Sequence, residues 1–200
     1  MTSTKQKYVP IYRRRRMGAT DYRARKKIIT SSVPLLAVRV SSKNVTAQFI
    51  KPRAAGDEVL SSAHSRNLKK LGWKGSSKSV PACYLLGLLA GKRAKDEGIE
   101  KAFLYNGLSS FVNGSRVSAV VKGVKDSGVD VPMSDEVAPS KERLSGKATA
   151  EYAKSLLAED KERYTKLFSG LIKTGFKPED YEENASALKQ VILKGAKVSG

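Results

Sequence analysis

Residues 35–50 read Leu35-Leu36-Ala37-Val38-Arg39-Val40-Ser41-Ser42-Lys43-Asn44-Val45-Thr46-Ala47-Gln48-Phe49-Ile50. Two alternating, β-branched-rich segments, Leu35–Ser41 and Val45–Ile50, flank a polar break, which is the pattern of a hairpin. A two-residue loop at Ser42-Lys43 sets Leu36, Val38 and Val40 opposite Phe49, Ala47 and Val45. That register builds one wholly apolar face and puts Arg39 opposite Thr46 on the other. A slip of one residue mixes polar and apolar side chains on both faces, so burial selects the first register.

Downstream, Ala55-Gly56-Asp57 reads as a turn and Glu58–Ser65 as a third strand, completing a meander. A longer connection, Arg66 to Ser79, carries Lys69, Lys70, Lys74 and Lys78. Ser79 followed by Pro81 marks a helix start, because proline in the first turn gives up an N–H that has no partner there. This helix runs to about Glu97, and Gly98 stops it. Gly87 and Gly91 lie one turn apart, which lets the helix approach a sheet or a neighbour closely. Lys101–Asn106 is a fourth strand. Ser115 caps a second helix with Val117, Val120, Val121 and Val124 on its buried face. Gly128 ends it, and Val129–Val131 is a candidate last strand. The order is βββαβα(β). A strand–helix–strand crossover makes strand four parallel to strand three, and the expectation is a mixed α/β sheet with helices on its faces.

The flanks differ from this core. Residues 1–19 have few apolar anchors and no helical period, so an extended arm is expected. Thr20-Asp21 then cap a short helix to about Ile29, with Arg23, Lys26, Lys27 and Thr30 on one face and Tyr22 and Ile29 on the other. After the core, Ser134–Lys147 is punctuated by Pro and Gly. Tyr164, Leu167, Phe168, Leu171 and Ile172 form one helical stripe, and Tyr181, Ala185, Leu188, Val191 and Ile192 form another. These stripes are packing surfaces, either for the core or for a neighbour. The expected division is a basic arm and short helix (1–33), an α/β core (34–133), a linker (134–149) and a helical extension (150–200).

Charge narrows the function. The chain carries a net +19. Residues 1–30 hold ten Lys/Arg against one Asp, residues 31–149 nineteen against ten acids, and residues 150–200 nine against eight. So much like charge repels itself unless a polyanion neutralises it, and nucleic acid is the polyanion whose counterions such a stripe releases. The longest nearly apolar run, Val80 to Ala90, is too short to span a bilayer and is interrupted by Gly87. The basic start lacks the apolar segment of a secretory signal. Pro10 and the run Arg13–Arg16 also disfavour the amphipathic helix of a mitochondrial presequence. With a single cysteine, Cys83, no internal disulfide can form, and the reading is a soluble intracellular protein with no membrane partner.

Enzymatic classes find little support. One His and one Cys are too few for a zinc site. His64 has no local partner to make it a base, and Cys83 reads as a small core residue near a helix start. Gly72-Trp73-Lys74-Gly75 matches neither a phosphate loop nor a dinucleotide fingerprint. A metal-dependent nuclease needs converging carboxylates, yet Leu35–Ser41, Val45–Ile50 and Ala102–Asn106 contain none. No cofactor is expected.

Topology instead gathers cations. The Ser42–Asn44 turn and the starts of both core helices share one sheet edge, with Lys43, Asn44, Lys74, Lys78 and Arg116. Free helix N–H groups there favour phosphate, although Asn113-Gly114-Ser115 and Ser76–Ser79 read equally as ordinary capped loops. The N-terminal arm enters from the other end of strand one, so contact of both with one RNA requires wrapping along one side of the body. Tyr8, Tyr12, Tyr22 and Trp73 interleave with the cations, either to stack on unpaired bases or to anchor the arm.

Tyr12-Arg13-Arg14-Arg15-Arg16 with Gly18, Thr20-Asp21-Tyr22 and Arg25-Lys26 resembles the opening of the archaeal large-subunit ribosomal protein 18 family, the 5S rRNA-binding proteins. So do Val38-Arg39-Val40-Ser41 with Asn44-Val45 and Ala47-Gln48, Ser62-Ala63-His64-Ser65, and Gly72-Trp73. The stretch Val80-Pro81-Ala82 with Tyr84-Leu85, Gly87-Leu88-Leu89-Ala90-Gly91 is the most specific, and Gly114-Ser115-Arg116-Val117 and Asp126-Ser127-Gly128 continue it. The likeness covers roughly residues 5–145. The last fifty residues match only as a helical extension. Before Gly107, Tyr105-Asn106 stands in place of the usual acidic or hydroxyl context. The resemblance implies a fold like the RNase H superfamily without its catalytic carboxylates. It also implies assembly of 5S rRNA into the central protuberance, with 23S rRNA and large-subunit ribosomal protein 5 as neighbours, in the cytoplasmic ribosome. By position it makes Arg13, Arg14, Arg15, Arg16, Arg23, Arg25, Lys26, Lys27, Arg39, Asn44 and Gln48 RNA-contacting residues. The edge reading adds Lys43, Lys74, Lys78 and Arg116, and the interleaved aromatics add Trp73. An architectural DNA-binding protein, its arm reading the minor groove, is the alternative.

Overall fold

The computed structural model describes residues 10–194. Tyr8 and the first part of the expected extended arm lie outside them. Within them, the chain departs from the extended expectation: Arg13–Arg16 wind a single helical turn, α1, with the amides of Arg15 and Arg16 donating to the Tyr12 carbonyl. Helix α2, Tyr22–Ser31, starts where its cap predicts. Asp21 Oδ1 accepts from the Arg23 and Ala24 amides at 2.9 and 3.1 Å and supplies negative charge to the positive helix end.

The sheet comprises β1 (Leu35–Val40), β2 (Val45–Lys51), β3 (Glu58–His64) and β4 (Phe103–Tyr105) in the order β3-β2-β1-β4. β1 pairs antiparallel with β2 in the expected register: Leu36 faces Phe49, Val38 faces Ala47, Arg39 faces Thr46 and Val40 faces Val45. β4 runs parallel to β1, its immediate neighbour, and so to β3 as well. A bulge between Phe49 and Ile50 shifts the β2–β3 register. The expected last strand reduces to one parallel bridge, Lys101 to Asp130. The expected connection after β3 instead holds a short helix, α3 (Ser65–Lys70), whose first turn is capped by His64 Nδ1 accepting from the Arg66 amide. That is a structural role for the lone histidine.

Helices α4 (Val80–Asp96) and α5 (Arg116–Asp126) cover the inner face, where Leu36, Val38, Val45, Ala47 and Phe49 are buried. Val40 is the exception, exposed at the sheet edge. The glycine spacing in α4 serves its neighbour helix. A Cβ on Gly87 would collide with the Val120 carbonyl, and one on Gly123 of α5 would collide with the Tyr84 carbonyl. Backbones therefore meet directly, which forbids even a methyl group at the crossing. The other face, expected to be polar around Arg39 and Thr46, carries its own small apolar cluster. Leu35, Ala37 and Ile50 are buried there beneath Ile28 of α2 and Tyr105. Helices thus lie on both faces of a mixed α/β sheet.

The segment read as a linker holds a 3-10 turn, Asp135–Val137, and helix α6, Lys141–Ser145. Helices α7 (Lys147–Glu159), α8 (Lys161–Leu167), α9 (Ser169–Ile172) and α10 (Tyr181–Lys194) follow. The second apolar stripe packs on the core: Tyr181, Ala185, Leu188 and Ile192 are buried with α4 residues, while Val191 is exposed. Lys92 of α4 fastens the end of α10 by donating to the Ile192 and Leu193 carbonyls, both at 3.0 Å. The first stripe is interrupted at Phe168, and its Leu167 and Ile172 remain exposed.

Candidate nucleic-acid interface

Helix α2 covers the outer face of β1 and β2, and the turn before it delivers the arm to the far end of β1. A cleft of about 430 Å³ holds Arg14 from α1, Ala19 and Thr20 from the following turn, Val38 to Val40 from β1, and Tyr105 and Asn106 from the end of β4. The arm that leaves one end of β1 therefore comes back along the outside of the sheet to the other end. Arg14 of the arm and Arg39 of the sheet thus line one cleft.

A second cleft of about 400 Å³ adjoins the first, and Val40, Ser110 and Val117 line both. It gathers the end of β1, Val80 at the start of α4, Gly114 to Val117 at the start of α5, and Arg143 of α6. The end of β1 and both helix starts thus share this cleft, while the Ser42–Asn44 turn does not line it. Each start is capped by its serine: Ser79 Oγ accepts from the Ala82 amide and Ser115 Oγ from the Ser118 amide, both at 3.4 Å. The Val80 amide of α4 and the Arg116 and Val117 amides of α5 remain without intrahelical partners, as at any helix start, and Pro81 has no N–H.

The electrostatics of this edge follow from what is missing. Arg14, Arg39, Arg116 and Arg143 line the two clefts, and no Asp or Glu does. Elsewhere cations are spent on acids or carbonyls. Lys122 and Lys125 of α5 lie 3.3 and 3.7 Å from Asp135, and Arg93 donates to the Ser62 carbonyl at 2.7 Å. The clefts thus concentrate cations with no carboxylate among their lining residues, Asp57 acting on Arg39 only from outside them.

The residues expected to contact RNA fall into distinct places. Arg13–Arg16 are all exposed on α1. Arg23, Lys26 and Lys27 share an exposed face of α2 with Thr30. Arg39 and Arg116 lie in the clefts, while Lys43, Asn44, Gln48, Lys74 and Lys78 line neither. Asn44 Oδ1 accepts from Ser65 Oγ at 3.1 Å, and the Lys74 amide donates to Asn184 Oδ1 at 3.3 Å, so both are held to the body.

Arg25 and Trp73 require correction. Arg25 is bound to Asp57 through both guanidinium nitrogens and also donates to the Arg53 carbonyl at 3.2 Å. Its hydrogen bonds hold the Asp57 carboxyl below the ordinary carboxylate range. Arg25 therefore ties α2 to the β2–β3 turn. Trp73 is 3% exposed, donates its indole N–H to the Ser76 carbonyl at 3.1 Å and packs against Tyr181, so its ring faces are closed to a base. Tyr12, 85% exposed, and Tyr22 keep open rings.

Two contributors escaped the sequence reading. Arg143 falls in the stretch read as linker, and only Ser140 ahead of Lys141 to Leu144 hints at a helix start there. Asn106 clips the loop after β4: its Nδ2 donates to the Ser109 and Ser110 carbonyls at 2.8 and 3.2 Å. Cys83 offers no chemistry. It is fully buried, and burial pushes its thiol up to about 12. Among the described residues no cluster of His, Cys, Asp or Glu could hold a metal ion, and no helix is long and apolar enough to cross a membrane.

Residues 6–99 match a family described as ribosomal large subunit proteins 60S L5, and 50S L18. Along nearly its whole length the chain is similar to large ribosomal subunit protein uL18 of Thermofilum pendens, 44% identical over 92% of this chain and 93% of that protein. It is 43% identical to uL18 of Methanothermobacter thermautotrophicus, over 93% of this chain and 95% of the relative. It is also 43% identical to uL18 of Methanococcus maripaludis, over 91% and 94%. A basic body with a cationic edge, and likeness over more than nine-tenths of the chain to these archaeal proteins, have one reading: the chain belongs to the uL18 family of large-subunit ribosomal proteins, structural and not enzymatic constituents of the cytoplasmic ribosome.

Proposed function

We propose that this protein binds 5S rRNA and attaches it to 23S rRNA in the central protuberance, beside large-subunit ribosomal protein 5. One observation carries the reading: the paired, carboxylate-free clefts that bring Arg14 of the arm next to Arg39 of the sheet edge. Arg13, Arg15, Arg16, Arg23, Lys26 and Lys27 extend that cationic track along α1 and α2, with Arg116 at its other end. Lys43, Asn44, Gln48, Lys74 and Lys78 flank the track and make secondary contacts. Phosphates neutralised along it release counterions, so affinity is steeply salt-dependent.

The test compares a 5S rRNA transcript with an A·T-rich DNA duplex, using the full chain and a variant lacking residues 1–19. If the arm neutralises about six phosphates, wild-type affinity for 5S rRNA falls on the order of a thousandfold between about 50 and 200 mM salt. The truncated variant then binds more weakly with a shallower slope. Equal binding of the DNA duplex, or a salt slope unchanged by truncation, contradicts the reading.

A further inference from the structure

The loop between β4 and α5 presents apolar side chains to solvent beside the two arginine-lined clefts. Leu108 is 65% exposed, Phe111 40% and Val112 59%. Exposing three large apolar groups on so short a segment marks a contact site. The loop is also held in place. Asn106 clips its first half, the Gly114 amide donates to the Val137 carbonyl at 2.9 Å, and Gly107 and Gly114 supply left-handed corners at φ +62° and +65°. Its Ser110 lines both clefts and its Val112 lines the one that holds Arg116 and Arg143, so Phe111 lies in sequence between two cleft-lining residues.

Charge identifies the occupant. From Lys101 to Lys125 the chain contains no Asp or Glu, and the clefts add none. A protein docking here would have to supply several carboxylates against four arginines, whereas a nucleic-acid strand brings phosphates and flat apolar bases together. We propose that this loop is an RNA-reading element in which Phe111 stacks on an unpaired base while Arg116 and Arg143 hold the phosphates beside it. An unpaired base is required because bases inside a duplex do not offer a free ring face. Arg143 makes α6, in the stretch read as linker, part of the RNA surface. The inference rests on the rRNA reading above and adds a base contact distinct from the arm.

The experiment measures binding of a 5S rRNA transcript by the full-length protein over a salt series, with an A·T-rich DNA duplex as comparison. Phe111→Ala should weaken binding to the transcript by between roughly fivefold and a hundredfold, the range for loss of one stacked base, with the salt slope unchanged. Phe111→Tyr should keep near wild-type affinity. Arg143→Gln should lower the salt slope by about one. An unchanged thermal midpoint of the RNA-free variants verifies folding. A control with Arg13–Arg16 changed to Ala separates the two readings. If that control loses affinity while Phe111→Ala binds like wild type, the loop inference is overturned and the rRNA reading stands. Equal weakening of Phe111→Ala and Phe111→Tyr also overturns it, since stacking tolerates the hydroxyl. If wild type does not prefer the transcript to the duplex, the parent reading fails instead.

Discussion

Trp73 and Tyr181 meet edge to face, their ring centroids 5.4 Å apart and their planes at 84°. The pair joins the loop before α4 to the first residue of α10, and Phe176 also packs against Tyr181 with centroids 5.7 Å apart. The Tyr181 hydroxyl accepts from the Ser76 amide at 2.9 Å. One aromatic cluster therefore seals the extension onto the core. Tyr181→Ala should destabilise the protein by about 3–5 kcal/mol, the cost of emptying a large aromatic site. Tyr181→Phe keeps the ring and should cost about 1 kcal/mol for the lost hydrogen bond. Urea unfolding of the RNA-free protein checks both.

The α4–α5 crossing predicts an unusual sensitivity to one methyl group. Gly123→Ala places a Cβ against the Tyr84 carbonyl and the Leu88 amide, which are backbone atoms and cannot rotate away. The helices must separate, at a cost of roughly 1–3 kcal/mol or more. Gly170→Ala, in α9, meets nothing within 4 Å and should be neutral or slightly stabilising through helix propensity. Denaturant midpoints of the two variants should therefore move apart.

Arg25 and Asp57 predict a cation whose loss leaves RNA binding largely alone. Arg25→Gln breaks the tie between α2 and the β2–β3 turn, and the partly exposed pair should be worth no more than about 1 kcal/mol. Because Arg25 lowers the Asp57 pKa, the pair's contribution is whole above the unfolded carboxylate value of about 4. It is lost as pH falls through the lower folded value. The salt slope for 5S rRNA should stay unchanged in Arg25→Gln and fall by about one in Arg39→Gln.

Cys83 makes a prediction at the other end of the pH scale. Desolvation by burial raises its thiol to about 12, with Arg116 opposing weakly. An unfolded thiol ionises near about 8.5. The contribution to stability is thus complete below that value and declines as pH rises toward 12. Tyr84, raised first by burial and then by its 2.9 Å hydrogen bond to Asp126, acts in the same sense. Cys83→Ala should flatten the fall in unfolding free energy between about pH 8.5 and 10, and the tyrosine part begins only above about pH 10. In the native protein a thiol-specific reagent at pH 8 should react only as fast as the protein opens.

Much of the core was legible because it rests on local rules. The register of β1 and β2 follows from alternation, since only one pairing buries Leu36, Val38, Ala47 and Phe49 together. Ser79 with Pro81, Ser115, Asp21 and Gly98 mark helix ends through hydrogen bonds within a few residues of themselves. The glycines of α4 announced a close approach, while their partner, Gly123, was decided by packing. The +9 of the first thirty residues announced a polyanion, because charge density needs no fold to be counted.

Relations between segments distant in sequence required the folded chain. Composition gives Arg25 and Arg39 the same charge, but Asp57 reaches the first and no carboxylate lines the cleft of the second. Trp73 carries the same ring whether it faces a base or Tyr181, and α10 closes over it. The small cluster under α2, the return of Arg14 to the end of β1 and the arrival of Arg143 beside Arg116 all depend on where helices dock. The amino-acid order thus settles the elements, their ends and the sign of the charge. Which cations remain free for a phosphate depends on three-dimensional packing, because an ion pair or a buried ring is formed by whatever neighbour the fold brings within a few ångströms.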